Sequence, residues 1–264
     1  MAALEPVPEL EALLELWRAH DAAFERAEPA WWGAVVSDRR YPAIHEANYA
    51  RVEARSPVPL AEIAVGLGTA GADPRTHVVG FHPEEQTDLL AEAGTAGARL
   101  VWDLVMVRRS GHTDPQGAGP DIPTEEIARF DDAFWIAHAE SVRLFDVEDP
   151  DTLDQLQALE RETLIPHGRR WFVVRGRAAD PWRSPRSSWS GTPHSSTTSS
   201  RSPRPGGGGC AEALTRRAVS EAAAAGGAST LLLAEPGRPA ERIYRRIGFE
   251  PVAHLASWTW DRGR

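Results

Sequence analysis

Two short stretches in the last quarter of the chain carry residue types that could do chemistry. The first is Gly206-Gly207-Gly208-Gly209-Cys210-Ala211, which leads into Glu212-Ala-Leu-Thr-Arg-Arg217. Glycines let backbone approach a ligand closely, and the free N–H groups at a helix start favour an anion such as pyrophosphate. A glycine run is also what a flexible linker looks like. The second stretch is Ile243-Tyr244-Arg-Arg-Ile-Gly248-Phe249. Tyr244 reads by itself as a core aromatic packing on Phe249. Other groups are weaker. Glu125, Glu126, Asp131 and Asp132 read as a solvated helix face. His138 has no ligand-spaced partner, and neither HExxH nor a paired-His spacing occurs, so no metal is expected. Cys210 as a nucleophile needs a His base that the sequence does not place.

Local elements must position these residues. Ala211–Ala225 is an Ala-rich helix stopped by Gly226-Gly227, and Thr230–Ala234 is an apolar strand. Ala240–Arg246 is a short helix ended by Gly248, and Glu250–Trp260 holds a final strand or two. Upstream, Trp171–Val174 reads as a strand. Leu153, Leu156, Leu159 and Leu164 share one side of a helix capped by Asp151 or Thr152. Thr124-Glu125-Glu126-Ile127 resembles the start of a helix running to about Leu144. In the first part of the chain, residues 9–26 form an amphipathic helix with Leu10, Leu13, Leu14, Trp17 and Phe24 on one face. His77–Phe81 and Arg99–Met106 read as strands, with a helix begun by Pro83 between them. Trp31 and Trp32 read as turn and core aromatics. Ser110–Pro123, rich in Gly, Pro and Asp, reads as a linker. The predicted organisation is a lobe over 1–109, a linker over 110–123 and a domain over 124–264.

The run AEALTRRAVSEAAAAGGASTLLLAEPGRPAERIYRRIGFEPV follows the order glycine loop, helix, Gly-Gly, strand, helix with Y-x-x-x-G-F, strand. That order resembles the GNAT acetyltransferase superfamily over residues 206–260, and to a lesser extent over 150–176. The resemblance implies an α/β fold with a mixed, mostly antiparallel sheet flanked by helices. The first lobe reads as an α/β, degenerate GNAT-like half. It has no glycine-rich loop and no Y-x-x-x-G-F. The resemblance further implies acetyl-CoA as co-substrate, with Gly206, Gly207, Gly208, Gly209, Cys210 and Ala211 holding its pyrophosphate. Tyr244 then protonates the departing thiolate, and Arg238 reaches a CoA phosphate. The family's Q/R-x-x-G-x-G/A pattern falls on Gly206, Gly209 and Ala211, with Gly206 standing where a Gln or Arg is expected. A register from Arg204 through Gly207 and Gly209 lies two residues further from the helix. The general base is not assigned. The acceptor is an amine of a small molecule or a protein, and fold alone does not choose between them.

One segment departs from this pattern. Residues 177–205 should supply strands that wall the cofactor cleft, yet they are rich in Ser, Arg and Pro. Proline lacks an N–H for a central strand, and too few apolar groups are present for a core, so the written sequence predicts disorder or poor packing there. A shifted reading frame from about codon 178 to about codon 209 accounts for the anomaly. Moving back one base turns a TCN serine codon into NTC, which encodes only Phe, Leu, Ile or Val. Ser187, Ser188, Ser190, Ser195, Ser196, Ser199 and Ser200 then become apolar. Gly191, Thr192 and Pro193 become a small or polar turn. The glycine codons become NGG, which permits Arg-Gly-Arg-Gly and restores the missing Arg. Codons 197 and 198 permit two aspartates. The shifted reading runs strand, strand, turn, strand, phosphate loop.

Totals set the remaining bounds. The 264 residues carry a net charge of −9, which argues against a nucleic-acid partner or an anionic membrane surface. One cysteine permits no internal disulfide, in keeping with a cytoplasmic protein. No apolar run approaches the roughly 20 residues of a membrane span, and the N-terminus is acidic where a signal peptide is basic. Oligomeric state is left open. Two functions compete: an N-acetyltransferase, and a catalytically inactive GNAT-derived protein that binds CoA or acts as a scaffold.

Overall fold

The computed structural model describes residues 7–71, 76–111, 121–143, 147–174, 186–192, 195–199 and 209–260. Along the chain come α1 (Pro8–Asp21), β1 (Arg26–Ala30), β2 (Gly33–Ser37), β3 (Tyr49–Val52), α2 (Leu60–Thr69), β4 (His77–Gly80), α3 (Thr87–Thr95) and β5 (Arg99–Arg109). Then follow β6 (Thr124–Glu126), α4 (Asp132–Arg143), α5 (Pro150–Leu159), β7 (Arg170–Val174), β8 (Arg186–Thr192), β9 (Ser195–Ser199), α6 (Cys210–Ala224), β10 (Ser229–Ala234), α7 (Pro239–Ile247) and β11 (Glu250–Thr259). The chain divides into two compact units. The N-terminal unit comprises Trp17–Leu104 with Ala253–Arg264, and the C-terminal unit comprises Met1–Leu16 with Val105–Val252.

In the N-terminal unit the strand order is β1-β2-β3-β4-β11. Strands β1, β2 and β3 form an antiparallel meander. β4 lies parallel to β3, as a strand reached through a crossover helix must, and α2 is that crossover. β11 pairs antiparallel with β4 through Ala256–Gly80, Ser257–Val79 and Trp258–Val78. The core gathers Trp32, Val35, Val52, Ile63, Leu67, Leu89 and Trp258, all nearly inaccessible to solvent. Ile63 and Leu67 are one turn apart on α2, so both reach the sheet. Gly66 lies between them, and a Cβ there would sit 2.6 Å from the Trp32 ring. The glycine is what lets Trp32 lie against the helix.

The C-terminal unit repeats the plan. β7, β8 and β9 form an antiparallel meander, and β10 lies parallel to β9 across the α6 crossover. β6 pairs outside β7, and the order runs β5-β10-β9-β8-β7-β6. Next to β10 lies β5, where Ser110 N donates to Ala228 O at 2.8 Å. Phe172 and Val174 of β7 bury against Leu214, Ala218 and Ala222 of α6. Each half of the chain therefore has three antiparallel strands, a parallel crossover through a helix, a second helix and an outgoing strand. The outgoing strands are exchanged: β5 joins the sheet of the C-terminal unit and β11 that of the N-terminal unit.

The α/β class and the mixed, mostly antiparallel sheet agree with the sequence reading. Disorder over 177–205 does not hold for Arg186–Thr192 and Ser195–Ser199, which pair as strands. They lie between β7 and β10, whose backbone groups need partners there, so pairing follows from position despite the composition. The rest of 177–205 lies outside the described residues. Thr124–Glu126 is an edge strand, not a helix start. Ile127 N donates to Trp171 O at 2.9 Å, and Arg170 binds the Glu126 carboxylate with 2.6 and 2.7 Å contacts. The α5 cap is Asp149, which accepts from Thr152 N at 2.8 Å, with Pro150 just inside the helix.

Candidate active site

The glycine stretch feeds α6. Gly209 is its N-cap at φ +86°, a left-handed conformation that glycine adopts without a Cβ clash. Ala213 N donates to Gly209 O at 2.9 Å, which begins the helix. The first amides of a helix have no partner within it, and a glycine cap offers them no side-chain oxygen. Gly209 is exposed, while Cys210 and Ala211 are half-buried. Cys210 packs on the cluster around Phe172 and Leu214. Gly206, Gly207 and Gly208 lie outside the described residues. Alongside, β9 and β10 pair at Ser196–Thr230, Thr197–Leu231 and Thr198–Leu232, and β10 runs two residues further, to Ala234.

The Y-x-x-x-G-F spacing is a helix stop. Gly248 stands at φ +94°. Gly248 N donates to Arg245 O at 3.1 Å, and Phe249 N donates to Tyr244 O at 3.0 Å. The second bond closes the last turn, and the Tyr244 and Phe249 rings meet edge-on at 6.1 Å, the apolar contact that accompanies such a stop. Tyr244 is 2% exposed, and burial pushes its phenol up to about 12. Deprotonation would put a charge in a poorly solvated place, so the O–H persists across the physiological range.

Charge gathers where α6 and α7 pack together. Glu212, in the first turn of α6, accepts from Arg216 at 2.9 Å and from Arg246 of α7 at 3.2 Å. Arg108 of β5 donates to Ile247 O at 2.9 Å. Burial, then the charges of Arg108 and Arg246, holds the Arg216 guanidinium below its ordinary value. Two guanidinium groups thus bind one carboxylate near the start of α6, and Arg108 brings a third positive charge near Arg216. Arg216 is legible in the sequence as the i+4 partner of Glu212. Arg108 and Arg246 are not, because only the fold brings them there.

Arg238 caps α7 and pairs with Glu235 at 2.8 Å on an exposed loop. His138 is a core residue, 4% exposed, with its ring 5.5 Å from that of Trp171. Of the four acids around residues 125–132, Glu126 binds Arg170, and Asp131 accepts from Phe134 N at 2.9 Å at the start of α4. Among the described residues no three of His, Cys, Asp and Glu converge as metal ligands. No helix among them is long and apolar enough to cross a membrane.

No protein-family model matches the sequence, and no curated protein matches it. Solved structures do. A GCN5-related N-acetyltransferase from Kribbella flavida superposes with a TM-score of 0.64 at 18% identity, over 99% of this chain and 98% of that one. A GCN5-related N-acetyltransferase-like protein from Streptococcus suis gives 0.53 at 11% identity, over 96% and 98%. A tandem GNAT protein from the clavulanic acid biosynthesis pathway gives 0.52 at 14% identity, over 89% and 81%. The fold of this chain is the GCN5-related N-acetyltransferase fold.

Proposed function

We propose that the chain is an acetyl-CoA-dependent N-acetyltransferase of the cytoplasm, with its co-substrate held in the C-terminal unit. The observation that carries this reading is the parallel pair β9/β10 joined by α6, whose glycine N-cap leaves the first helical amides to an incoming anion. The pyrophosphate of the co-substrate lies on the amides from Gly206 to Ala211. The guanidinium groups of Arg108, Arg216 and Arg246 add positive potential nearby, and Arg238 is available to a further phosphate. An acceptor amine, on a small molecule or a protein, attacks the thioester carbonyl. A C–N bond forms and the C–S bond breaks; the attacking nitrogen releases one proton to solvent, the thiolate takes a proton from Tyr244, and Tyr244 regains one from solvent. Neither a nucleic acid nor a membrane is a partner. Calorimetric titration with acetyl-CoA, followed by measurement of free CoA release with a panel of primary amines, tests the proposal. Binding with amine-dependent release is expected, and absence of both refutes it.

A second reading, an inactive CoA-binding or scaffold protein, is favoured by one observation. β8 and β9 are written R-S-S-W-S-G-T and S-S-T-T-S. Apart from Trp189 and the threonines these are Ser, Arg and Gly, which bring little apolar surface to positions inside a sheet. We propose that the segment is read out of frame in this sequence. The two strands fall on Ser187–Ser190 and on Ser195, Ser196 and Ser199, the codons that turn apolar one base back. Resequencing codons 170–215 decides it. A pair of compensating indels makes the stretch an error and the corrected protein the one to assay, and an intact frame favours the inactive reading.

A further inference from the structure

The two halves share one plan, so the position that α6 opens in one has a counterpart in the other, at the entry to α2. There the chain has filled it. β3 and β4 pair through their last residues, Val52 opposite Gly80, and Phe81 N extends the ladder to Val52 O at 3.0 Å.

The loop after β3 is closed in the same way. Glu53 N and Ala54 N both donate to Trp32 O, at 2.8 and 3.1 Å. Of the six residues Arg55–Leu60, Pro57 and Pro59 have no N–H to offer. Val58 N donates to Gln86 Oε1 at 3.0 Å, and Leu60 N donates to Glu92 Oε2 at 2.9 Å. The Gln86 amide group also donates to Ala54 O at 2.6 Å and to Ser56 O at 2.7 Å, and the side chain is 2% exposed. Gln86 therefore uses its oxygen and its nitrogen to clamp one loop from inside. Glu92 adds a carboxylate where a phosphate would otherwise meet the helix.

We infer that the N-terminal unit takes no acyl-CoA, and that Gln86 and Glu92 act there as built-in substitutes that lock the loop entering α2. The chain then has one co-substrate site, not two. A phosphate would have to displace a buried amide with three hydrogen bonds, approach a like-charged carboxylate, and find donors in a loop that two prolines deplete. The inference rests on the reading of the C-terminal unit as the half that takes the cofactor.

Hydrogen exchange resolved to single amides tests it on the full chain, with and without acetyl-CoA. Slow exchange at Val58 and Leu60 is expected without ligand. Added acetyl-CoA should protect the start of α6 and leave residues 53–62 unchanged. In Gln86→Ala, Val58 should exchange about tenfold faster or more, as the loss of one buried hydrogen bond implies. Glu92→Ala, an exposed truncation that removes the acceptor and the charge, should speed Leu60 alone and add no second equivalent of acetyl-CoA. Protection of residues 53–62 by acetyl-CoA, or a stoichiometry of two, overturns the inference. If acetyl-CoA protects neither region, the enzyme reading fails. The lock then stands if Val58 and Leu60 are slow in the parent and faster in the variants, and falls if they are fast in the parent.

Discussion

In the proposed reaction Tyr244 supplies the proton that the thiolate takes. Its phenol is raised to about 12 by burial, so a pH–rate profile measured up to pH 10 should show no loss from Tyr244 deprotonation. Tyr244→Phe keeps the ring contact with Phe249 and removes only the proton. It should lower kcat on the order of 100-fold while acetyl-CoA affinity, read by calorimetry, stays within about twofold. His77 makes a prediction about stability. Burial, then the neighbouring His45, depresses it from 6.5 to about 4. The unfolded chain binds that proton more readily, so this contribution is complete above pH 6.5 and is lost as pH falls towards 4. At most about 3 kcal/mol is involved, less what partial exposure screens. Urea titrations from pH 7 to pH 4 should show that slope, and His77→Phe should flatten it. Asp21 holds Arg51 at 2.5 Å and accepts from the Tyr49 hydroxyl, all nearly inaccessible to solvent. Burial, then the Asp21 charge, pushes the Tyr49 phenol well above its ordinary value. Asp21→Ala should cost about 2–3 kcal/mol in chemical denaturation, because it removes one of the two carboxylates that Arg51 is buried against, Glu53 remaining at 2.7 Å.

At the scale of elements, the clearest sequence signals were those whose cause is local. The stop of α7 is one. A left-handed glycine and two short-range hydrogen bonds make it, so Y-x-x-x-G-F announced a helix end before any tertiary contact was known. Gly248→Ala should cost about 1–2 kcal/mol in thermal or chemical unfolding, by forcing a Cβ into that conformation. Gly33, at the other extreme, is set by a neighbour in space. A Cβ there would fall 1.8 Å from Arg51 O, the backbone of the adjacent strand. Gly33→Ala should therefore disrupt the β1–β2–β3 meander, with loss of soluble protein as the readout. Nothing in the local sequence W-W-G-A-V marks that constraint. β1, β2, β3 and α2 are likewise unmarked in the sequence, because short strands and a Gly-containing helix carry little periodicity of their own. β6 carries a helix-start signal, because T-E-E-I matches a capping pattern. Its pairing with β7 and the Glu126–Arg170 contact override that preference.

The whole molecule adds the exchange of outgoing strands. β11 finds its partner in β4, and β5 lies next to β10, so each half of the chain carries a strand that completes the other unit. Residues 121–264 alone leave β10 without β5 and β11 without β4, and residues 1–111 alone leave β4 without β11. Unpaired strand edges aggregate. Each fragment expressed alone should therefore be insoluble or loosely folded, whereas co-expression should yield a soluble complex detectable by size-exclusion chromatography. Two soluble, cooperatively folding fragments would contradict the exchange.

The sequence by itself determined the helices of the C-terminal half, the strand between them, the glycine entry to α6 and the helix stop after Tyr244. These depend on contacts within a few residues, so their order sufficed to point to the fold. Only the tertiary structure decided that a Ser-rich stretch pairs as β8 and β9, that Arg246 of α7 reaches Glu212 of α6, and that Gln86 locks the loop into α2. It alone also decided that the two halves exchange their last strands. Each of these joins residues far apart in the chain, and which distant backbone or charge a residue meets is set by packing, not by its neighbours in sequence.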